Sequence, residues 1–189
     1  MAFSLQTNDL ILKTAEVSFA ENLLNYYRRN RAFLEGFEPK RDAHFFTLEY
    51  QEAKLQHDIA DILHKTGVHF YVFPKDEPET IIGSIGLSNI VWGSFLSCFL
   101  GYKLDEAHQN KGFMTQAVQA VSRFAFDTLQ LHRIEANVMP RNIASRRVLE
   151  KCGFQEAGVS PKYLKINGVW EDHIHMELLN EALEQPEES

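Results

Sequence analysis

The stretch that most restricts the fold is SCFLGYKLDEAHQNKGFMTQAVQAVSRFAF, residues 97–126. Its first part alternates like a strand. Its last part sets Met114, Ala117, Val118, Val121, Phe124 and Ala125 in an unbroken apolar stripe, which predicts a helix over Phe113–Leu129. A strand that turns through a polar loop into a long amphipathic helix requires a sheet with that helix packed on it. The loop, EAHQNKG, carries a second meaning. The free N–H groups and positive dipole end of a helix start form an anion site, and Gly112 lets the backbone approach a phosphate with no Cβ in the way. A tight strand-to-helix turn is the other reading of the same residues. A second Gln-x-x-Gly string stands at Gln155–Gly158 with no helix after it, so position rather than the string itself is informative.

The remaining periodicities fill in the layers. LILKT (Leu10–Thr14) reads as a first strand, Ser18–Leu34 as a helix stopped by Gly36 and Pro39, and Leu48–Lys65 as a second helix ended by Gly67. HFYVF from His69, TIIGSIGLSNIV from Thr80 and SCFLGYKLD from Ser97 form an antiparallel meander, separated by the turns PKDEPE and WGS. After the long helix come a strand (Arg133–Met139), a helix over Asn142–Cys152 closed by Gly153, and two strands around KYLKI and WEDHIHMEL joined at Asn167-Gly168. The order predicts an α+β (mixed α/β) fold with about four helices. Residues 1–183 are expected to form a single domain and 184–189 a disordered polar tail.

Composition narrows the function classes. A net charge of −7 argues against nucleic acid as a partner and suits a cationic acceptor, although many proteins are acidic without such a meaning. The start, MAFSLQTNDL, lacks a signal-peptide pattern, and no apolar run is long enough to span a bilayer. Cys98 and Cys152 lie in apolar contexts without CxxC spacing and read as reduced core thiols. A cytoplasmic protein is expected.

Two motifs then carry a resemblance. Gln109-Asn110-Lys111-Gly112-Phe113-Met114 is similar to the acetyl-CoA signature, Gln/Arg-x-x-Gly-x-Gly/Ala, of the GNAT N-acetyltransferases. Thirty residues on, NIASRRVLEKCGF (Asn142–Phe154) resembles that superfamily's second motif, Asn-x-x-Ser/Ala followed by Gly-Phe. NRAFLEGFEP, HRIEANVMPRN and YLKINGVWEDH resemble the Rim-type subfamily, the ribosomal-protein N-terminal alanine acetyltransferases. The resemblance implies a central, mostly antiparallel twisted sheet with a V-shaped split between SCFLGYKLD and RIEANVM, into which the pantetheine arm of acetyl-CoA enters. It also implies direct acetyl transfer to a protein N-terminus, such as that of a basic ribosomal protein, by a monomer or homodimer without metal. A small-amine acetyltransferase and a non-catalytic acetyl-CoA-binding module are the alternatives.

Carried onto this chain, the resemblance places the cofactor on Leu104, Gln109, Asn110, Lys111, Gly112, Phe113, Met114, Thr115, Asn142 and Ser145. The chain departs from the pattern twice. Met114 replaces the small third residue, and Leu149 stands where many members have a tyrosine acid. Ser145 is therefore the candidate proton donor, with a first-turn structural serine as the other reading. Asn142 is read both as a cofactor contact and as a helix N-cap. Glu135 is the candidate base or water anchor, or a surface glutamate, and Tyr163 a late-strand donor or a packed tyrosine. Lys111, Arg146 and Arg147 are candidate phosphate partners or solvated charges. His173 and His175 share a strand face but lack a third ligand at fitting spacing, so no metal is expected.

Overall fold

The computed structural model describes residues 2–183; the polar tail, 184–189, lies outside them. The elements are β1 (Ser4–Gln6), β2 (Leu10–Thr14), α1 (Ala20–Arg29), α2 (Arg31–Leu34), α3 (Leu48–His64), β3 (Val68–Pro74), β4 (Gly83–Val91), β5 (Ser97–Leu104), α4 (Phe113–Arg123), β6 (Arg133–Val138), α5 (Ile143–Lys151), β7 (Gln155–Ile166) and β8 (Val169–Leu179). One eight-stranded sheet has the order β1-β2-β3-β4-β5-β6-β8-β7. Every pairing is antiparallel except β5 with β6. Among the described residues no helix is long and apolar enough to cross a membrane.

Side-chain alternation along the strands divides the core between the two faces. Leu12, Phe70, Val72, Leu87, Leu100 and Ile134 pack under Ala117, Val118 and Val121 of α4 and Leu149 of α5. On the opposite face Tyr71 and Phe73 meet Leu23, Tyr26 and Tyr27 of α1 and Leu55 of α3. The α+β fold expected from the order of elements is therefore what forms.

Four details differ from the sequence reading. The three-residue β1 is too short for a period-2 signal, yet it pairs with β2 at the sheet edge. The helix expected over Ser18–Leu34 breaks at Asn30, which adds the one-turn α2 and brings the helices to five among the described residues. The cause is that Asn30 is buried and donates its amide to the Tyr26 carbonyl (3.0 Å), leaving its oxygen for the Glu106 N–H (3.0 Å). The long helix is α-helical only to Arg123 and continues as π-helix over Phe124–Thr128. Finally, α3 ends through Lys65 in the left-handed region (φ 58°), not through Gly67. Gly67 instead allows close approach to β4, since a Cβ there would sit 3.0 Å from the Leu87 carbonyl oxygen.

The turn between β5 and α4 is anchored to α1. Asp105, 5% exposed, accepts from Arg29 Nε at 2.6 Å and from the Ala107 N–H at 3.1 Å. Burial opposes ionisation of Asp105, but the Arg29 and backbone hydrogen bonds outweigh it and hold the carboxyl below its usual pKa. Asp105→Ala is expected to lower stability by about 2–3 kcal/mol at pH 7, because it leaves Arg29 without its charged partner. A depressed carboxylate pKa contributes stability above the unfolded-state value of about 3.9 and loses it as the pH falls further. Denaturant unfolding of both proteins at pH 7 and below pH 4 should therefore show the gap narrowing in acid.

Candidate functional site

Strands β5 and β6 are paired only at Ser97–Arg133, Cys98–Ile134 and Phe99–Glu135. Beyond Phe99 and Glu135 the two strands run on unpaired with each other, to Leu104 and Val138. Parallel neighbours that separate after three residues make a V, with backbone groups along its inner sides that the facing strand does not pair. The split predicted between these two segments is thus present.

A cleft of about 430 Å³ adjoins the β5 side of the split. Its walls are the end of β5, the turn before α4, the first turns of α4 and α5, and Phe33, Leu34 and Phe37 from the α2 region. Of the ten residues expected to hold the cofactor, Lys111 alone does not line this cleft. Its ammonium lies over the Phe113 ring, 5.9 Å from the centroid. Arg147 lines the cleft; among the other basic side chains there are Lys103 and Lys151.

The anion turn has the required backbone. Gly112 is the N-cap of α4 at φ 77°, with no side-chain cap, and the first bond of the helical ladder runs from the Gln116 N–H to the Gly112 carbonyl. The amides of Phe113, Met114 and Thr115 therefore precede the ladder and are uncapped by any side chain. A Cβ on Gly112 would meet nothing within 4 Å, so it is the conformation, and the space beside the turn, that glycine serves. Gln116 holds this turn to the β1–β2 loop, donating to Asp9 Oδ2 (2.6 Å) and accepting from Thr7 Oγ1 (2.7 Å). Met114 resolves the first departure from the motif: it is 6% exposed, its bulk part of the core under α4.

On α5, Asn142 Oδ1 accepts from the Ser145 N–H at 3.2 Å, an N-cap that presents the first turn to the cleft. Ser145 Oγ lies 2.8 Å from the Tyr102 hydroxyl, which also donates to the Ser145 carbonyl at 3.1 Å. Burial pushes the Tyr102 pKa well up, the hydrogen bond to Ser145 opposing it in part, so the phenol keeps its proton near neutral pH. Sequence reasoning missed Tyr102. The available signal was the alternation of Cys98, Leu100, Tyr102 and Leu104, which puts this hydroxyl on the α5 side of a strand that borders the split.

Glu135 and Tyr163 occupy the other face. Ile134, Ala136 and Val138 point into the α4 core, so Glu135 and Asn137 point away from it. Glu135 stands at the floor of the V, opposite Phe99 in the last β5–β6 pair, and accepts from Ser97 Oγ at 3.5 Å. The Tyr163 hydroxyl accepts from Asn137 Nδ2 at 3.3 Å, and its ring packs edge-on against His175 with centroids 4.8 Å apart. Neither Glu135 nor Tyr163 lines the cleft that holds Ser145. His173 and His175 do share a face, but His173 meets the Glu171 carbonyl and His175 meets Ser160 Oγ at 2.8 Å. The thiols are free: burial pushes Cys98 up to about 12 and Cys152 up to about 11, so both are protonated at neutral pH.

Residues 9–155, most of the chain, match the family described as acetyltransferase (GNAT) domain. The chain is a member of the GNAT acetyltransferase family. As a GNAT protein it is an acetyl-CoA-dependent N-acetyltransferase, and its relatives place it with the Rim type. It is 40% identical over 173 residues to the ribosomal protein uS5 alanine N-acetyltransferase of Escherichia coli, covering 90% of this chain and 87% of that one. It is 41% identical over 181 residues to YjcK of Bacillus subtilis, described as a probable N-acetyltransferase, covering 96% and 99%. The crystal structure of ribosomal-protein-S5-alanine acetyltransferase from Vibrio fischeri superposes with a TM-score of 0.91 at 37% identity, covering 97% of this chain and all of that one. The GNAT motifs and the split sheet thus coincide in one place, around β5, α4 and α5.

Proposed function

We propose that this enzyme transfers the acetyl group of acetyl-CoA directly to a protein N-terminal α-amine, that of an N-terminal alanine on a ribosomal protein. The observation that carries the reading is the Tyr102–Ser145 hydroxyl pair, set in a cleft beside the uncapped amides of Phe113–Thr115. The amides would take the pyrophosphate, and the pantetheine arm would follow the split. The acceptor amine would come from the face that carries Glu135 and Tyr163, so that donor and acceptor meet across the sheet. The 40% identity to a uS5 alanine acetyltransferase supports the same class of acceptor.

The chemistry divides between the two faces. The neutral amine attacks the thioester carbonyl, the C–S bond breaks, and the departing thiolate needs a proton. Ser145 Oγ supplies it and regains a proton from solvent once CoA has left, while the Tyr102 hydroxyl, bonded to the serine hydroxyl and to its carbonyl, holds the serine in position. Glu135, directly or through a water, takes the proton that the amine releases. Asn142, its oxygen used as the cap, offers its N–H₂ to a cofactor carbonyl.

The ease of making the amine neutral favours an α-amine. Its reference pKa is about 7.7–8.0 against about 10.4 for lysine. Deprotonation at pH 7 therefore costs about 1 kcal/mol for the α-amine and nearly 5 kcal/mol (about 1.36 per pH unit) for lysine. A peptide with a free N-terminal alanine is expected to be acetylated on that amine, and the same peptide blocked at its N-terminus should not react even where it contains lysines. Mass spectrometry checks this. Acetylation on lysine, or turnover with polyamines or amino acids alone, would favour the small-amine alternative; acetyl-CoA binding without thiol release from any amine would favour a non-catalytic module.

A further inference from the structure

We propose that Gly101 is a specificity-determining position, the space over its bare Cα receiving the first residue of the acceptor chain. This role rests on the proposed function, in which a thioester in the split meets an amine from the Glu135 face. Gly101 stands in the interior of β5, where a glycine weakens the strand because it has no side chain to pack. A left-handed backbone does not explain it, since Gly101 is not among the residues with positive φ. Close packing does not explain it either. A Cβ on Gly83 would lie 2.5 Å from the Lys103 carbonyl oxygen, and one on Gly86 would lie 2.2 Å from His69 Nδ1. A Cβ on Gly101 would meet nothing within 4 Å. What a glycine serves here is room for a group that approaches the strand from outside the chain.

The strands fix where that room lies. Cys98 and Leu100 belong to the core under α4, so Phe99, Gly101 and Lys103 point to the opposite face, that of Glu135. Phe99 and Glu135 form the last β5–β6 pair, and Gly101 lies two residues beyond it, about 6.6 Å along the strand. It therefore borders the V one pleat past its floor, and it is exposed. Its neighbours leave the space open. The His69 ring takes up the room beside Gly86, the cross-strand partner of Gly101. Lys103 is drawn toward α1, its ammonium bonded to Glu38 and 5.1 Å from the centre of the Tyr27 ring. A side chain at 101 would stand between the Glu135 face and the split. With none there, the Cα and methyl group of an N-terminal alanine lie against the strand, which sets the α-amine at the thioester and beside Glu135.

The test is a graded pair of variants, Gly101→Ala and Gly101→Val, assayed with peptides that begin with alanine or with glycine. On the alanine peptide kcat/KM should fall about tenfold in Gly101→Ala and at least about a hundredfold in Gly101→Val, because the added methyl groups displace the amine. The glycine peptide should lose less in Gly101→Ala, since the methyl group missing from the acceptor leaves room for the one added to the enzyme. Acetyl-CoA affinity should stay unchanged in a calorimeter. The melting temperature should hold or rise, because a side chain suits a strand better than glycine does. Gly101→Ala adds one methyl group in open space, so it will fold, and it decides the matter should Gly101→Val prove unstable. Wild-type kcat/KM in Gly101→Ala would overturn the proposal, as would equal losses on the two peptides or an acetyl-CoA affinity that falls in step. Should the wild-type enzyme acetylate spermidine and neither peptide, it is the peptide acceptor of the proposed function that fails. The same variants read with spermidine then support the slot if turnover falls and overturn it if turnover holds; turnover of no acceptor overturns both.

Discussion

Gly112→Asp should lose acetyl-CoA binding while keeping its fold. At φ 77° the residue is in the left-handed region, where aspartate is among the few side chains tolerated, at a cost of about 1 kcal/mol. No atom within 4 Å opposes the new Cβ, so the loss has no steric origin within the protein. What changes is the space in front of the Phe113, Met114 and Thr115 amides. A carboxylate there competes for the same N–H donors and repels a phosphate. Charge-assisted hydrogen bonds contribute about 1.5–3 kcal/mol each. Losing two of them predicts at least about a hundredfold drop in affinity, at about 1.4 kcal/mol per factor of ten. Calorimetry beside a thermal melt makes the comparison. Near-wild-type affinity in the folded variant would show that this turn is a structural connection and not the phosphate site.

The second large effect is expected at Ser145. If its hydroxyl delivers a proton to the departing thiolate, the interaction exists mainly in the transition state, and Ser145→Ala should lower kcat and kcat/KM together. General-acid help of this kind contributes about 10²–10⁴-fold, so at least a tenfold fall is expected even with water in partial substitution. Acetyl-CoA affinity should hardly move. The structure also bounds the stability cost: Asn142 caps the Ser145 N–H, not its hydroxyl, and Tyr102 keeps its bond to the Ser145 carbonyl, so the loss should be near 1 kcal/mol. Tyr102→Phe separates a positioning residue from a bystander. Acting through Ser145, Tyr102 should matter in the wild type and add little in the Ser145→Ala background, a non-additive cycle. Unchanged kcat in Ser145→Ala with a lowered melting point would make the serine structural and return the proton to Tyr163 or to water.

Much of this protein was legible along the chain, and for a definite reason. Helix and strand periods, the glycine at 112 and the asparagine at 142 are local features, and each specifies its own geometry within a few residues. The turn before α4, the N-cap of α5 and the α+β layering were read in this way, whereas the split between β5 and β6 was expected only from the resemblance to the GNAT family. What the line of residues did not contain was every relation set by one element meeting another. Asn30 reads as one more position in an amphipathic helix, and only its burial against the Glu106 amide explains why that helix breaks there. Tyr102 reads as an alternating strand residue until α5 brings Ser145 to 2.8 Å from its hydroxyl. Glu135 and Tyr163 share a sheet face opposite the cleft because strand alternation meets a fixed register, which no local pattern specifies. His69 is one residue of an apolar strand until its pairing with Gly86 turns the ring toward Asp61 on α3. Local sequence determines which backbone conformations are cheap; long-range pairing, whose loop-closure entropy is overcome only by the burial of the whole core, decides which side chains meet.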